Sequence, residues 1–129
     1  MPLMRFDLYE GRSDEELKKL LDTAHSVTVE VLKIPARDRY QIVNEHQSSL
    51  MIMEDTGLAI PRTNYFVMIQ ITSRPRTREM KEKFYKRMTE ELEKQCSIAP
   101  SDVMMNFVIC TDEEWSFGLG RAQFLTKEL

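Results

Sequence analysis

Leu3 to Leu8 alternates apolar and polar side chains, with Met4, Phe6 and Leu8 on one side. That is the period of a strand with one covered face. The period then lengthens. Leu17, Leu20, Leu21, Ala24, Val27 and Val31 recur at helical spacing and predict a helix that buries one stripe. Ser13-Asp14-Glu15-Glu16 is its capping box: Ser13 satisfies the N–H three residues on, and Glu16 reaches back. The helix should end near Lys33, before Pro35. Arg39 to His46 reads as a second strand, Met51-Ile52-Met53 as a short extended piece, and Glu54-Asp55-Thr56-Gly57 as a turn.

Tyr65 to Ile71 is the most strand-like run, apolar on both faces as a central covered strand would be. Thr77 then caps a long helix carrying Met80, Phe84, Met88 and Leu92 at steps of four, its other face solvated charge. Val103 to Cys110 is a further apolar strand. An offset of 64 lays the second half on the first. Arg12-Ser13 falls on Arg76-Thr77, and Ile34 to Asp38 falls on Ile98 to Asp102. Strand, helix, strand is therefore written twice, and each β-α-β unit calls for a crossover between parallel strands. The expected fold is α/β (α+β): one domain over residues 1–129, with halves at about 1–64 and 65–129. It has a four-stranded sheet and two helices on one face. Two helices leave the other face bare, so that face is expected to pack on partner subunits.

Composition narrows the function classes. The chain has 129 residues, 42% hydrophobic and 30% charged, with net charge −3. The balance lacks the basic excess of a nucleic-acid binder. No apolar run nears the roughly 20 residues of a membrane span, and no signal-peptide pattern opens the chain. Cys96 and Cys110 lack metal-ligand spacing, so buried free thiols in a reducing, cytoplasmic setting are expected. His25 and His46 are far apart and assemble no metal set; no cofactor is expected. Gly118-Leu119-Gly120 reads as a tight bend, since no helix pattern follows it.

The candidate chemistry begins at Met1-Pro2. Removal of Met1 would leave Pro2 as a free secondary amine, and an α-amine titrates near neutrality, so it serves as acid, base or nucleophile. With Met1 retained, Pro2 is an amide without a basic nitrogen. Arg74 and Arg76 flank Pro75 directly after the central strand, which suits gripping a carboxylate; ordinary surface arginines are the plain alternative. Asp38, at the start of the second strand, would raise the pKa of a nearby amine or polarise a water; a turn aspartate is the alternative, and Asp102 at its repeat position is expected to be one. Trp115, Phe117 and Phe124 form an apolar wall to a small pocket, or anchor a core or interface.

Met1-Pro2, Asp38-Arg39-Tyr40-Gln41, Glu54-Asp55-Thr56-Gly57, Ser73-Arg74-Pro75-Arg76, Trp115-Ser116-Phe117-Gly118 and Gly120 to Leu125 together resemble the tautomerase superfamily, in its malonate semialdehyde decarboxylase branch. The resemblance runs nearly end to end. It implies a duplicated β-α-β fold assembled as a homotrimer and acting on a small oxo acid. It implies a catalytic Pro2 with Asp38 nearby, Arg74 and Arg76 on the substrate, and Trp115, Phe117 and Phe124 as the hydrophobic wall. A protonated Pro2 would polarise the carbonyl of a 3-oxo acid as its carboxylate leaves, and a neutral Pro2 would form an iminium to the same end. A neutral Pro2 acting as base would instead tautomerise a 2-oxo acid. Decarboxylation stands slightly ahead. A non-catalytic trimeric scaffold, favoured by a retained Met1, is the reading of another class.

Overall fold

A computed structural model describes residues 1–129. The elements are β1 (Leu3–Tyr9), α1 (Asp14–Leu32), β2 (Tyr40–His46), β3 (Val67–Ser73), α2 (Arg78–Cys96) and β4 (Val103–Ile109). Short 3-10 turns lie at Ser48–Leu50, Pro100–Asp102 and Asp112–Glu114. The sheet order is β2-β1-β3-β4. The pairs β1–β2 and β3–β4 are parallel, and β1–β3, between them, is antiparallel. Each parallel pair is bridged by a helix, which supplies the long connection that parallel strands need.

Both helices start and stop for local reasons. Ser13 Oγ accepts from the Glu16 N–H at 3.1 Å, and Glu16 Oε1 accepts from the Ser13 N–H at 3.1 Å. Thr77 Oγ1 accepts from the Met80 N–H at 3.1 Å. Neither helix ends in glycine: Lys33 (φ 57°) and Ser97 (φ 56°) take the left-handed conformation themselves, at a cost of about 1 kcal/mol each. The Ser97 and Ile98 N–H groups return to Glu93 O and Leu92 O, so the last carbonyls of α2 are satisfied. The offset of 64 holds for β1 and β3, α1 and α2, and these two caps. It falls to 63 at Tyr40 and Val103, so the second helix-to-strand turn is one residue shorter.

The core lies between the helices and one face of the sheet. Met4, Phe6 and Leu8 of β1 and Val67, Ile69 and Ile71 of β3 meet Leu20, Ala24, Val27 and Val31 of α1. Phe84, Met88 and Leu92 of α2 complete it, as the sequence period predicts. Each large side chain in this layer contributes about 1.5–3 kcal/mol through burial. The opposite face remains open, with Tyr40, Ile42, Met104 and Val108 between 37% and 43% exposed. No helix is long and apolar enough to cross a membrane.

Three expectations need adjustment. β3 begins at Val67, not Tyr65, because other contacts hold the preceding residues: Arg62 Nη1 donates to Ser101 O, and Thr63 bonds Asp102. β3 is buried only on its helix face, with Met68, Gln70 and Thr72 half-buried on the other. Met51, in the piece expected to be extended, has extended backbone outside the sheet, and its carbonyl accepts from the Tyr9 hydroxyl at 2.6 Å. Cys96 and Cys110 are free thiols but only half-buried.

Candidate active site

Parallel pairing of Leu3 with Tyr40 sets the start of β1 beside the start of β2. Asp38 sits two residues before β2, in a turn closed by its own N–H to Pro35 O at 3.0 Å. The turn therefore delivers Asp38 to the first residues of the chain, where its carboxylate pairs with the Met1 ammonium. With Met1 in place that ammonium is the basic nitrogen, and the buried Pro2 carries an amide.

Arg76 lies in the short link between β3 and α2 and is held by three hydrogen bonds. Nε donates to Ser73 Oγ at 3.1 Å, Nη1 to Leu32 O at 2.9 Å and Nη2 to Met1 O at 3.3 Å. Leu32 O is one of the terminal carbonyls of α1, which has no partner further along its helix. The guanidinium has five N–H groups, so two remain, one on each Nη, the number a carboxylate accepts. Met1 O and Pro2 N are separated by one carbon and lie about 2.2 Å apart. Arg76 therefore lies beside the Met1–Pro2 peptide bond, through a contact made while Met1 is in place. Arg74 is engaged differently. Its Nε and Nη2 donate to Asp112 at 2.7 and 3.2 Å, and its guanidinium stacks 4.3 Å over the Phe124 ring.

The tail supplies the wall. Phe117 packs edge-on against Phe124 at 5.4 Å and stacks on Trp115 at 5.4 Å and Tyr40 at 6.0 Å. Gly118, Leu119 and Gly120 all have positive φ, making the expected tight bend. Gln123 staples it: Oε1 accepts from the Phe117 N–H at 2.9 Å, and Nε2 donates to Gly118 O at 2.7 Å. These groups enclose a cavity of about 740 Å³ lined by Met1, Asp38, Arg74, Arg76, Phe117 and Phe124, with Tyr40 and Gln123 beside them. Trp115 does not line it. It buttresses Phe117, while its indole N–H donates to Cys110 Sγ at 2.9 Å.

Burial, then the cations of Arg76 and Arg74, push the terminal amine from 8.0 down to about 6. The Asp38 carboxylate in contact with it acts in the opposite sense, favouring the cation. An amine held between these influences titrates within the range where proton transfer is useful. Burial, then Arg74, also lowers the pKa of Arg76; a partly desolvated guanidinium gains most from an anionic partner. His25 and His46 stay outside the site: His25 Nε2 bonds Ala36 O and His46 pairs with Asp7. No cluster of three or more His, Cys, Asp or Glu residues is arranged to hold a metal ion.

Tyr40, Asp112 and Gln123 were not singled out by the sequence. Tyr40 had a signal, because it begins the strand that must pair beside Leu3. Asp112 had none, and Gln123 had only its place in the Gly120 to Leu125 stretch, since both act through a long irregular tail. Asp102, expected to be a turn residue, does lie in a 3-10 turn, yet it is buried and accepts from both the Thr63 N–H and hydroxyl.

Comparison with known proteins bears on the family and the fold. Two family models, each described as tautomerase enzyme, match residues 38–118 and 2–59. The probable tautomerase YrdN of Bacillus subtilis is 53% identical over 129 residues, all of both chains. A malonate semialdehyde decarboxylase has been solved as wild type, with its first-position proline changed to alanine, and inactivated; decarboxylase and hydratase activities are attributed to it. It superposes with a TM-score of 0.96 at 47% identity over 98% of each chain. The FG41 malonate semialdehyde decarboxylase, solved inhibited by 3-bromopropiolate, gives 0.94 at 41% identity over 98% of this chain and 97% of its own. With a family model spanning more than half its length and relatives matched end to end, the chain belongs to the tautomerase superfamily and is an enzyme of its isomerase and lyase type.

Proposed function

We propose that the protein decarboxylates a small 3-oxo acid such as malonate semialdehyde, using Pro2 as a free amino-terminal amine. The observation that carries this reading is the convergence of Met1, Asp38, Arg74 and Arg76 on one cavity walled in part by aromatic rings, with the buried Pro2 directly behind Met1. The close likeness to malonate semialdehyde decarboxylases supports it further. Arg76, assisted by Arg74, holds the substrate carboxylate, and the wall of Phe117 and Phe124, backed by Trp115, limits water. Pro2, kept cationic by Asp38, donates to the aldehyde oxygen. The C–C bond to the carboxylate breaks, its electron pair flows toward the carbonyl, and CO2 leaves. The resulting enol takes a proton from water on carbon and returns its O–H proton to the neutral Pro2 amine, the hydroxide so formed being neutralised in bulk solvent, which yields acetaldehyde. An iminium between a neutral Pro2 and the aldehyde would accept the same electron pair.

The same amine in its neutral form would move a proton between carbon and oxygen of a 2-oxo acid. Burial and the two arginine cations favour the neutral form of the Met1 amine, and a Pro2 amine beside the same Arg74 and Arg76 would feel the same influences; this supports the second reading. We take residues 1–129 as one domain whose halves descend from a single β-α-β unit. We infer a cytoplasmic homotrimer built on the open sheet face that exposes Tyr40, Ile42, Met104 and Val108.

The test is acetaldehyde production from malonate semialdehyde, run beside ketonisation of phenylenolpyruvate. Mass spectrometry of the native terminus accompanies both. A processed terminus, acetaldehyde turnover, its loss in Pro2→Ala and a 3-bromopropiolate adduct on Pro2 are expected. Unchanged turnover in Pro2→Ala, or full activity with Met1 retained, refutes the mechanism. Light scattering showing a monomer refutes the trimer alone.

A further inference from the structure

The fold carries a second cavity at the repeat-related position of the first. It has a volume of about 460 Å³. Four of its lining residues stand 64 positions from residues lining the active-site cavity: Arg12 for Arg76, Tyr65 for Met1, Ser97 for Lys33 and Ile98 for Ile34. The contacts repeat as well. Arg76 Nη2 donates to Met1 O, and Arg12 Nη2 donates to Tyr65 O at 2.5 Å.

The cavities differ in what fills the remaining corners. Phe66 stands at the position equivalent to Pro2. Its nitrogen is an internal amide bonded to Thr63 O at 3.2 Å, so no amine is available. Asp102, the counterpart of Asp38, already accepts two hydrogen bonds from Thr63. Arg12 is less occupied than Arg76: it makes one hydrogen bond, leaving Nε and Nη1 free, and its guanidinium lies 5.5 Å from the Tyr65 ring centroid. Burial lowers its pKa below the ordinary guanidinium range. Lys19 adds a second cation to the lining; the one carboxylate there, Glu16, is fixed by the Ser13 N–H in the capping box and acts on Arg12 through space without a hydrogen bond to it, leaving the guanidinium's free N–H groups to a ligand.

We propose that this cavity is a second, non-catalytic binding site for small monocarboxylates, with Arg12 as its anchor and Lys19 at its rim. It takes the carboxylate class of ligand proposed for the active site because the repeat-equivalent arginine is presented by the repeat-equivalent turn. It performs no chemistry because the amine position is an amide. This site stands on the repeat geometry and not on the decarboxylation reading.

The probe is 3-hydroxypropionate, titrated into the full-length protein and followed by amide chemical shifts. Lys33 and Ile34 report the first cavity, Ser97 and Ile98 the second. Saturable shifts are expected at both pairs. In Arg12→Gln the Ser97 and Ile98 response should weaken about tenfold or more, as befits loss of a charge-assisted hydrogen bond. The Lys33 and Ile34 response, and kcat/KM for the enzyme's own reaction, should stay unchanged. In Arg76→Gln the pattern should reverse. If Arg12→Gln does not fold, Arg12→Lys keeps the charge, loses the fork and should weaken only the second pair. Absence of a saturable shift at Ser97 and Ile98 overturns the proposal, and so does a shift that Arg12→Gln or Arg12→Lys leaves intact.

Discussion

Replacing Arg76 with alanine should separate its two jobs. It donates to Ser73 Oγ and Leu32 O, and its bond to Met1 O lasts only while Met1 is present, so in the processed chain at least two N–H groups face a ligand. The ligand-facing pair would form two charge-assisted hydrogen bonds to a carboxylate, each about 1.5–3 kcal/mol before solvent screening. Arg76 is only half-buried, so the pair is discounted to about 2–4 kcal/mol in all. That corresponds to a loss of roughly 30- to 1,000-fold in kcat/KM. Arg76→Lys keeps charge but not the fork and should lose about tenfold less. The structural bonds predict a second effect: freeing Leu32 O and Ser73 Oγ should cost about 1–2 kcal/mol of stability, read as a lower urea midpoint. The assay is acetaldehyde release from malonate semialdehyde with kcat and KM determined separately, alongside denaturant unfolding. Arg74→Ala should be milder, because Asp112 already neutralises Arg74. If Arg76→Ala kept kcat/KM within threefold of wild type while remaining folded, the anchoring role assigned to Arg76 would be wrong.

Other outcomes follow from neighbouring contacts. Asp38→Asn removes the anion that favours a cationic amine, so the amine pKa falls. If the cation is the working form, the high-pH limb of the rate profile moves to lower pH, and an unmoved limb argues against contact between Asp38 and the catalytic nitrogen. Asp112→Asn frees the Arg74 guanidinium, so inhibition by dicarboxylates such as malonate should strengthen about tenfold, one charge-assisted contact's worth; inhibition constants measure this. Ser97→Gly removes a left-handed serine and should stabilise by about 0–0.5 kcal/mol after the extra chain entropy of glycine; a clearly lower melting temperature contradicts that account. Asp102→Ala deletes both Thr63 contacts from a buried position and should destabilise by about 2–4 kcal/mol, checked by urea unfolding.

The elements that position the site were legible because each is encoded locally. The capping box at Ser13, the period of Leu17 to Val31 and the steps of four from Met80 to Leu92 are read within a few residues of where they act. The repeat then supplied what periodicity could not: it set Arg76 at a strand-to-helix turn and Asp38 at a helix-to-strand turn. The tail resisted reading. Phe117 and Phe124 are conspicuous as aromatics, but Gln123 acquires its role only when the bend at Gly118 brings the Phe117 N–H to it. Asp112 could not be paired with Arg74 from spacing, because 38 residues separate them and β4 must first align Ile109 with Ser73. The late start of β3 has the same origin: Tyr65 and Phe66 favour extended backbone, yet the Thr63–Asp102 contact engages the preceding loop.

Asp38 and Asp102 occupy equivalent places and answer to different kinds of selection. Asp102 is enclosed and bonded twice to Thr63, whereas Asp38 is partly open and faces the chain terminus. In a random-variant library, changes at Asp102 would deplete soluble protein, while changes at Asp38 would leave soluble protein with altered chemistry. A library sorted first for abundance and then for turnover would tell the two apart at a glance. Duplication thus lets one half bear the folding constraint while the other is free to be shaped by its substrate.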